Sequence, residues 1–288
     1  MYKTAVITDE ISQYLRVATA LAREYGLNGL EIRSVGEKNP FQMSDADVRE
    51  IHAIATGEGL PICCVSSPLF KCAFDDLQTR QTHLEAFRRT MDTMHLWGAR
   101  LVRCFNFNNL HDGGARFAEV ADAMRPAVAI ARDAGVTMVL ESEPTVYAAN
   151  IGALVAFLKQ MDDPAVGAVF DPGNEIGDPA APPPYPDGYA LLKPWLRHVH
   201  VKDILRSPDA FLPAKLGEGN VDFDGLFPRL KREFDGWVSV ETHYRVTRMS
   251  EEDLVHPQGS SFSEGGYEAT RQYLNTLRDR YRWMEATV

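Results

Sequence analysis

Cysteine is scarce in this chain. The four present, Cys63, Cys64, Cys72 and Cys104, form no CxxC pair, and Cys63 and Cys64 fall on alternate faces of an apolar run. This argues against a disulfide framework or a thiolate zinc cluster and predicts buried, reduced thiols. Positive charge is short too: 30 Lys and Arg stand against 40 Asp and Glu, a formal charge of −10. A nucleic-acid partner, bound by clustered basic residues that displace counterions, is therefore not expected. No apolar stretch approaches the roughly 20 residues that span a bilayer, so no membrane partner is expected either. The opening MYKTAVITDE places charges where a secretory leader needs its apolar segment, which predicts a cytoplasmic protein. Linkers rich in Gly or Ser and low-complexity tracts are also missing, and residues 1–288 read as one domain.

What the chain does have is a repeated pattern. Short runs rich in Val, Ile, Leu and Cys occur at 3–8, 28–33, 60–66, 100–105, 136–141, 165–171, 196–201 and 236–241. They are almost continuously apolar, as parallel strands covered on both faces must be. Amphipathic segments lie between them, among them 15–25, 45–58, 81–97 and 115–134. Gly26, Gly59, Gly98 and Gly135 follow helical segments where a left-handed C-terminal cap is wanted, and Ser44 before DADVRE suits an N-cap. Pro228 leaves the start of the helix in FDGLFPRLKREF undefined. Eight strand–helix units in this length predict an α/β fold, a single (β/α)8 TIM barrel. An open doubly wound sheet usually shows a Gly-rich first turn, whereas the first run here leads into TDEIS. Two connections, 172–188 and 243–266, are long, follow strands, and so belong on the catalytic rim as lids or specificity loops.

Four of the runs end in a metal-ligating side chain: VTMVLE in Glu141, VGAVFD in Asp171, HVHV at His200 and WVSVE in Glu241. One carboxylate at a strand end is usually a solvated boundary residue. Four consecutive strands ending this way, with no Lys or Arg at the position, point to a shared site. Three carboxylates and one imidazole make a mostly oxygen donor set, suited to Mn²⁺, Mg²⁺ or Co²⁺ above a structural zinc cage. Glu143 competes with Glu141, although Pro144 places it at the start of a loop. His198 shares the face of His200 one layer deeper and reads as a core histidine.

The segments ITDEIS, GLNGLEIR, VLESEP, FDPGN, HVHVKD, LGEGNVDF and SVETH resemble the xylose-isomerase-like sugar phosphate isomerase and epimerase superfamily, which shares its barrel with endonuclease IV type enzymes. The resemblance covers nearly the whole chain and is most specific in HVHVKD followed by GEG. It implies one divalent ion, Mn²⁺ first and Mg²⁺, Co²⁺ or Zn²⁺ as substitutes, held by Glu141, Asp171, His200 and Glu241. It also implies that Arg206, six residues after the histidine ligand, touches substrate. The family's epimerases carry a histidine where this chain has Asn174. An amide hydrogen-bonds a hydroxyl but does not readily take a proton.

The activity implied is proton transfer through a metal-stabilised enediolate, with Glu141 and Glu241 as the two proton carriers. The substrate would be a ketose or related carbonyl sugar, and the partner set a small carbohydrate with a homodimer or homotetramer of the barrel itself. The alternative fate of the same intermediate is loss of a β-hydroxyl. The protein would then be a dehydratase or lyase acting on a keto-inositol, keto-sugar or dehydroshikimate-like compound. A sugar-binding barrel without catalysis has no need of two bases, and a DNA-repair nuclease would need histidines on the first four strands. Glu31, Lys71, Lys202 and His243 complete the expected substrate-facing set with Arg206 and Asn174. Asp203 of the KD pair is expected either to fix an imidazole or to form a surface salt bridge, and Glu218 to serve the turn between its flanking glycines.

Overall fold

Each of the eight apolar runs becomes a strand, and all eight join one sheet. The computed structural model describes residues 1–176, 183–207, 210–246 and 265–283. In chain order the strands are β1 (Lys3–Val6), β2 (Leu30–Ile32), β3 (Ile62–Ser66), β4 (Leu101–Cys104), β5 (Thr137–Glu141), β6 (Val166–Phe170) and β7 (Leu196–Val201). A short antiparallel hairpin, β8 (Ile204–Ser207) and β9 (Ala210–Pro213), intervenes before the eighth barrel strand, β10 (Trp237–Val240). Neighbours pair in parallel from β2 round to β7, then β10, then β1. A parallel bridge between Ile7 and Glu31 draws β1 and β2 together and closes the ring. The fold is a TIM barrel.

The helices α1 (Leu15–Glu24), α2 (Asp45–Gly57), α3 (Leu77–Trp97), α4 (Phe117–Asp133), α5 (Ile151–Met161), α6 (Pro172–Glu175), α7 (Tyr189–Leu192), α8 (Phe223–Glu233) and α9 (Gly266–Asp279) lie between and after the strands. Their ends follow the expected chemistry. Ser44 and Asp47 form a reciprocal capping box on α2. Gly26, Gly59, Gly98 and Gly135 all adopt left-handed φ between 64° and 68°. The start left open by Pro228 falls at Phe223, where the Asp222 side chain accepts from Gly225 N. Helix α3 begins four residues before the expected segment, because Asp76 caps it through Thr79 N. Among the described residues no helix is long and apolar enough to cross a membrane.

Parallel register decides which side chains fill the barrel. Glu141 is level with Val169, Val169 with His198, and His198 with Trp237. Side chains alternate along a strand, so Asp171, His200 and Ser239 project inward one layer higher, followed by Glu241 just past the end of β10. On the other side, Ser66 is level with Arg103 and Arg103 with Val139. The bottom of the barrel is plugged by Ala5, Cys63 and Cys64 against Leu101 and Trp237. All four cysteines are buried and unpaired. Of the rim connections expected at 172–188 and 243–266, residues 177–182 and 247–264 lie outside the described residues. The β8–β9 hairpin is a third rim feature, which the alternation of apolar runs did not disclose.

Candidate metal centre and active site

Four successive barrel strands deliver the expected quartet to one point. Ligand atoms of Glu141, Asp171, His200 and Glu241 all lie within 4.8 Å of one another, and all four residues are buried. His200 Nδ1 stands 3.2 Å from Glu241 Oε2, 3.4 Å from Glu141 Oε1 and 4.0 Å from Asp171 Oδ2. Asp171 also caps α6: its Oδ1 accepts from Gly173 N at 2.9 Å and Asn174 N at 3.3 Å. That fixes the carboxylate and turns Oδ2 toward the centre. There it lies 2.6 Å from Lys202 Nζ but receives no correctly directed hydrogen bond.

Each glutamate is held by an arginine from the first half of the barrel. Arg103 Nε lies 3.2 Å from Glu141 Oε2. Arg33 Nη1 donates to Glu241 Oε1 at 2.9 Å, while its other nitrogens reach Asp9 Oδ2 and Glu10 Oε1 at 3.0 and 2.6 Å. Burial disfavours the ionised Glu141, yet Arg103 and His200 outweigh it and hold its pKa near 2. For Glu241 burial is outweighed by Lys202, His243 and His200, leaving its pKa well below the usual range. Asp171 goes the other way. Burial raises its pKa to about 8; Lys202 opposes the rise, but Glu241 and Glu141 add to it. His200 would be lowered by burial, but Glu31, Glu241 and Glu141 push it well above its ordinary value.

The remaining expected residues divide into three groups. Lys202, Lys71, Asn174 and His243 line the same cavity. Lys202 Nζ reaches Glu241 Oε2 at 3.2 Å as well as Asp171. Lys71 pairs with Glu143 at 2.6 Å, so Glu143 opens the loop wall and Glu141 is the residue at the centre. Asn174 Nδ2 donates to Glu141 Oε1 at 3.1 Å. His243 Nε2 stands 3.1 Å from Glu241 Oε1, and its φ of 45° is the left-handed conformation.

Glu31, expected to face substrate, lies instead beneath the site, fully buried. Its carboxylate meets His200 Nε2 at 3.1 Å and His198 Nε2 at 2.8 Å, and accepts from Ser66 Oγ. The physical reason is the barrel's inward row: a second-strand residue level with Cys64 is a layer below the rim. Arg206 is not among the residues lining the cavity; its guanidinium donates to Ile176 O at 2.8 Å. Asp203 neither fixes an imidazole nor pairs at the surface. It accepts from the backbone N–H groups of Ile204, Gly217, Gly219 and Val221 and folds the GEG turn onto β7. His198 is the core histidine expected.

Arg103, Asp9 and Glu10 are site residues that the sequence pattern does not single out. Arg103 sits within an apolar run, LVRC, which is its one visible signal: a lone charge at an inward strand position is either paired or functional.

The cavity above the quartet measures about 240 Å³, with Phe105, Phe211 and Pro213 forming apolar wall opposite the charged floor. The donor set fits a hard divalent cation on its own chemistry. Three buried carboxylates crowd one imidazole nitrogen, Asp171 Oδ2 accepts no hydrogen bond, and crowding drives Asp171 toward its neutral form. A cation would relieve all three conditions.

The profile of the "Xylose isomerase-like TIM barrel" family matches residues 19–275. The chain belongs to that family. Solved structures share its fold at low identity. The probable 3-DHS dehydratase AsbF, involved in petrobactin synthesis, from Bacillus anthracis is 17% identical over 96% of this chain and 99% of its own, with a TM-score of 0.74. The IolI protein, with a bound zinc atom, is 17% identical over 96% and 97%, TM-score 0.74. D-Allulose 3-epimerase from Methylomonas sp., in complex with D-allulose, is 17% identical over 94% and 95%, TM-score 0.69.

Proposed function

We propose that the protein is a divalent-metal-dependent isomerase or epimerase of a ketose or related carbonyl sugar. One observation carries this: two arginine-held glutamates, Glu141 and Glu241, flank a single buried histidine at the floor of a cavity. An ion held by Glu141, Asp171, His200 and Glu241, with Mn²⁺ the best match to the donor set, would supply Lewis-acid polarisation of the substrate carbonyl.

The chain's own residues would do the rest. One glutamate carboxylate takes the proton from the carbon beside the carbonyl. The C–H electron pair moves into a carbon–carbon double bond, and the carbonyl oxygen gains the charge of an enediolate. The second glutamate, ionised in the resting site, takes a proton from solvent and delivers it to the opposite face for epimerisation; for isomerisation a proton goes to the former carbonyl carbon while the neighbouring hydroxyl passes its own proton to the former carbonyl oxygen. Arg103 and Arg33 keep both carboxylates turned to the cavity, and the Phe105 and Phe211 walls limit water around the intermediate.

Asn174 supports a second reading. Its amide, bonded to Glu141, can hold a substrate hydroxyl but cannot accept a proton as a histidine would. The same intermediate would then expel its β-hydroxyl, making the protein a dehydratase or lyase on a keto-inositol, keto-sugar or dehydroshikimate-like substrate. Incubating Mn²⁺-loaded protein with ketoses and keto-inositols in deuterated water separates the two. Deuterium at the α-carbon with the carbon skeleton's oxygens intact supports isomerisation, and a new conjugated carbonyl absorbance supports dehydration. Neither signal across a broad panel defeats both.

A further inference from the structure

Lys202 stands where a cation is wanted. Its Nζ lies 2.6 Å from Asp171 Oδ2 and 3.2 Å from Glu241 Oε2, two carboxylate oxygens that also face His200 Nδ1. The side chain is only 4% exposed, so a full positive charge is placed inside the barrel beside the carboxylates it compensates. The path of its stem is built in. His200 and Lys202 are two residues apart at the end of β7 and share the inward face. A Cβ on Gly173 would come within 2.8 Å of Lys202 O and 3.1 Å of Lys202 Cγ, so only glycine at the start of α6 lets the lysine cross to Asp171.

We infer that Lys202 is an internal counter-cation that competes with the divalent ion for Asp171 and Glu241, keeping the centre assembled without metal and its metal affinity deliberately modest. This rests on the metal-dependent reading proposed above. A merely orienting lysine would act in the opposite direction: its loss would leave Asp171 less fixed and weaken metal binding, as loss of supporting hydrogen bonds does by about 10–100-fold. A competing charge instead repels a divalent ion a few ångströms away, and its removal strengthens binding.

The test is Mn²⁺ affinity, measured calorimetrically under argon at pH 8 on the metal-stripped full chain, for wild type, Lys202→Met, Lys202→Gln and Lys202→Arg. Circular dichroism of the stripped proteins identifies any variant that fails to fold, and the two neutral variants back one another up. The expected result is binding tighter by at least about tenfold in both neutral variants, with Lys202→Arg staying close to wild type. Neutral variants that bind equally or more weakly overturn the inference while leaving the metal reading intact. Wild-type protein that takes up no divalent ion overturns both.

Discussion

The two halves of this barrel do different work. Strands β5, β6, β7 and β10 supply the donor atoms at their tips, whereas β2, β3 and β4, with the turn after β1, supply the groups that aim and neutralise them. Arg103 reaches Glu141 from the adjacent strand β4, the Arg33–Glu10–Asp9 cluster reaches Glu241 past β1, and Glu31 supports His200 from below. Asp171 alone, among the described residues, receives nothing from the first half of the chain; its cationic neighbours, Lys202 and His200, both come from the end of β7. The consequence is visible in the charges. Glu141 and Glu241 are held ionised, and Asp171 is driven toward its proton. A site of three like charges is stable here because two of them are matched by arginines from the first half of the chain and the third is left for a cation to claim.

The comparison breaks most sharply at the donors. Glu141→Gln and Glu241→Gln remove a proton carrier with almost no change of volume, and each is expected to lower turnover by about 10²–10⁴-fold. Deuterium exchange into substrate is the measurement, because it reports proton abstraction before any later step. Either variant retaining wild-type exchange would remove that residue from the chemistry.

The supporting half is tested by stability. Arg33→Met takes the shared partner from Asp9, Glu10 and Glu241 at once and leaves the buried Asp9 without a cation, and breaking a buried pair costs about 3–5 kcal/mol. Arg103→Met strands Glu141 alone and should cost less. Denaturant unfolding of the two metal-free variants checks the ranking; an equal or reversed order contradicts it. Glu31→Ala is milder still for the fold's chemistry. His200 loses the carboxylate that fixes its ring, and Mn²⁺ affinity is expected to fall by about 10–100-fold, read by calorimetry.

This division explains what the amino-acid order disclosed. The eight strands, the helix caps and the quartet were legible because each depends on local pattern: apolar runs, a glycine or serine at a boundary, a carboxylate closing a run. Arg103 was hidden because LVRC is apolar on either side of it, and only the register with Val139 and Ser66 shows that it faces inward. Glu31 was visible but placed a layer too high, since the vertical stagger of strands is a property of closure and not of any single segment. Asp203, as part of the KD pair, was expected either to fix an imidazole or to form a surface salt bridge. In the fold its carboxylate turns outward to four backbone donors between 204 and 221, a contact no spacing rule anticipates.

The unmatched carboxylate gives the finest test. A divalent ion needs Asp171 ionised, and the metal-free protein holds that group near pH 8, above its ordinary value of 3.8. Its contribution to metal-free stability is therefore present below pH 3.8 and is lost as pH rises through about 8. Metal binding works against the same proton. From pH 6 to 8 Mn²⁺ affinity should climb steeply, with more than one proton released per ion, because Asp171 and the His200 ring, held protonated by Glu31, Glu241 and Glu141, must both lose a proton to bind. Glu141, held near 2, and Glu241, held well below its usual range, contribute nothing in that window. Calorimetry in two buffers of different ionisation enthalpy counts the released protons directly. An affinity that stays flat from pH 6 to 8 would mean that Lys202 fully satisfies Asp171, and that all three carboxylates are matched after all.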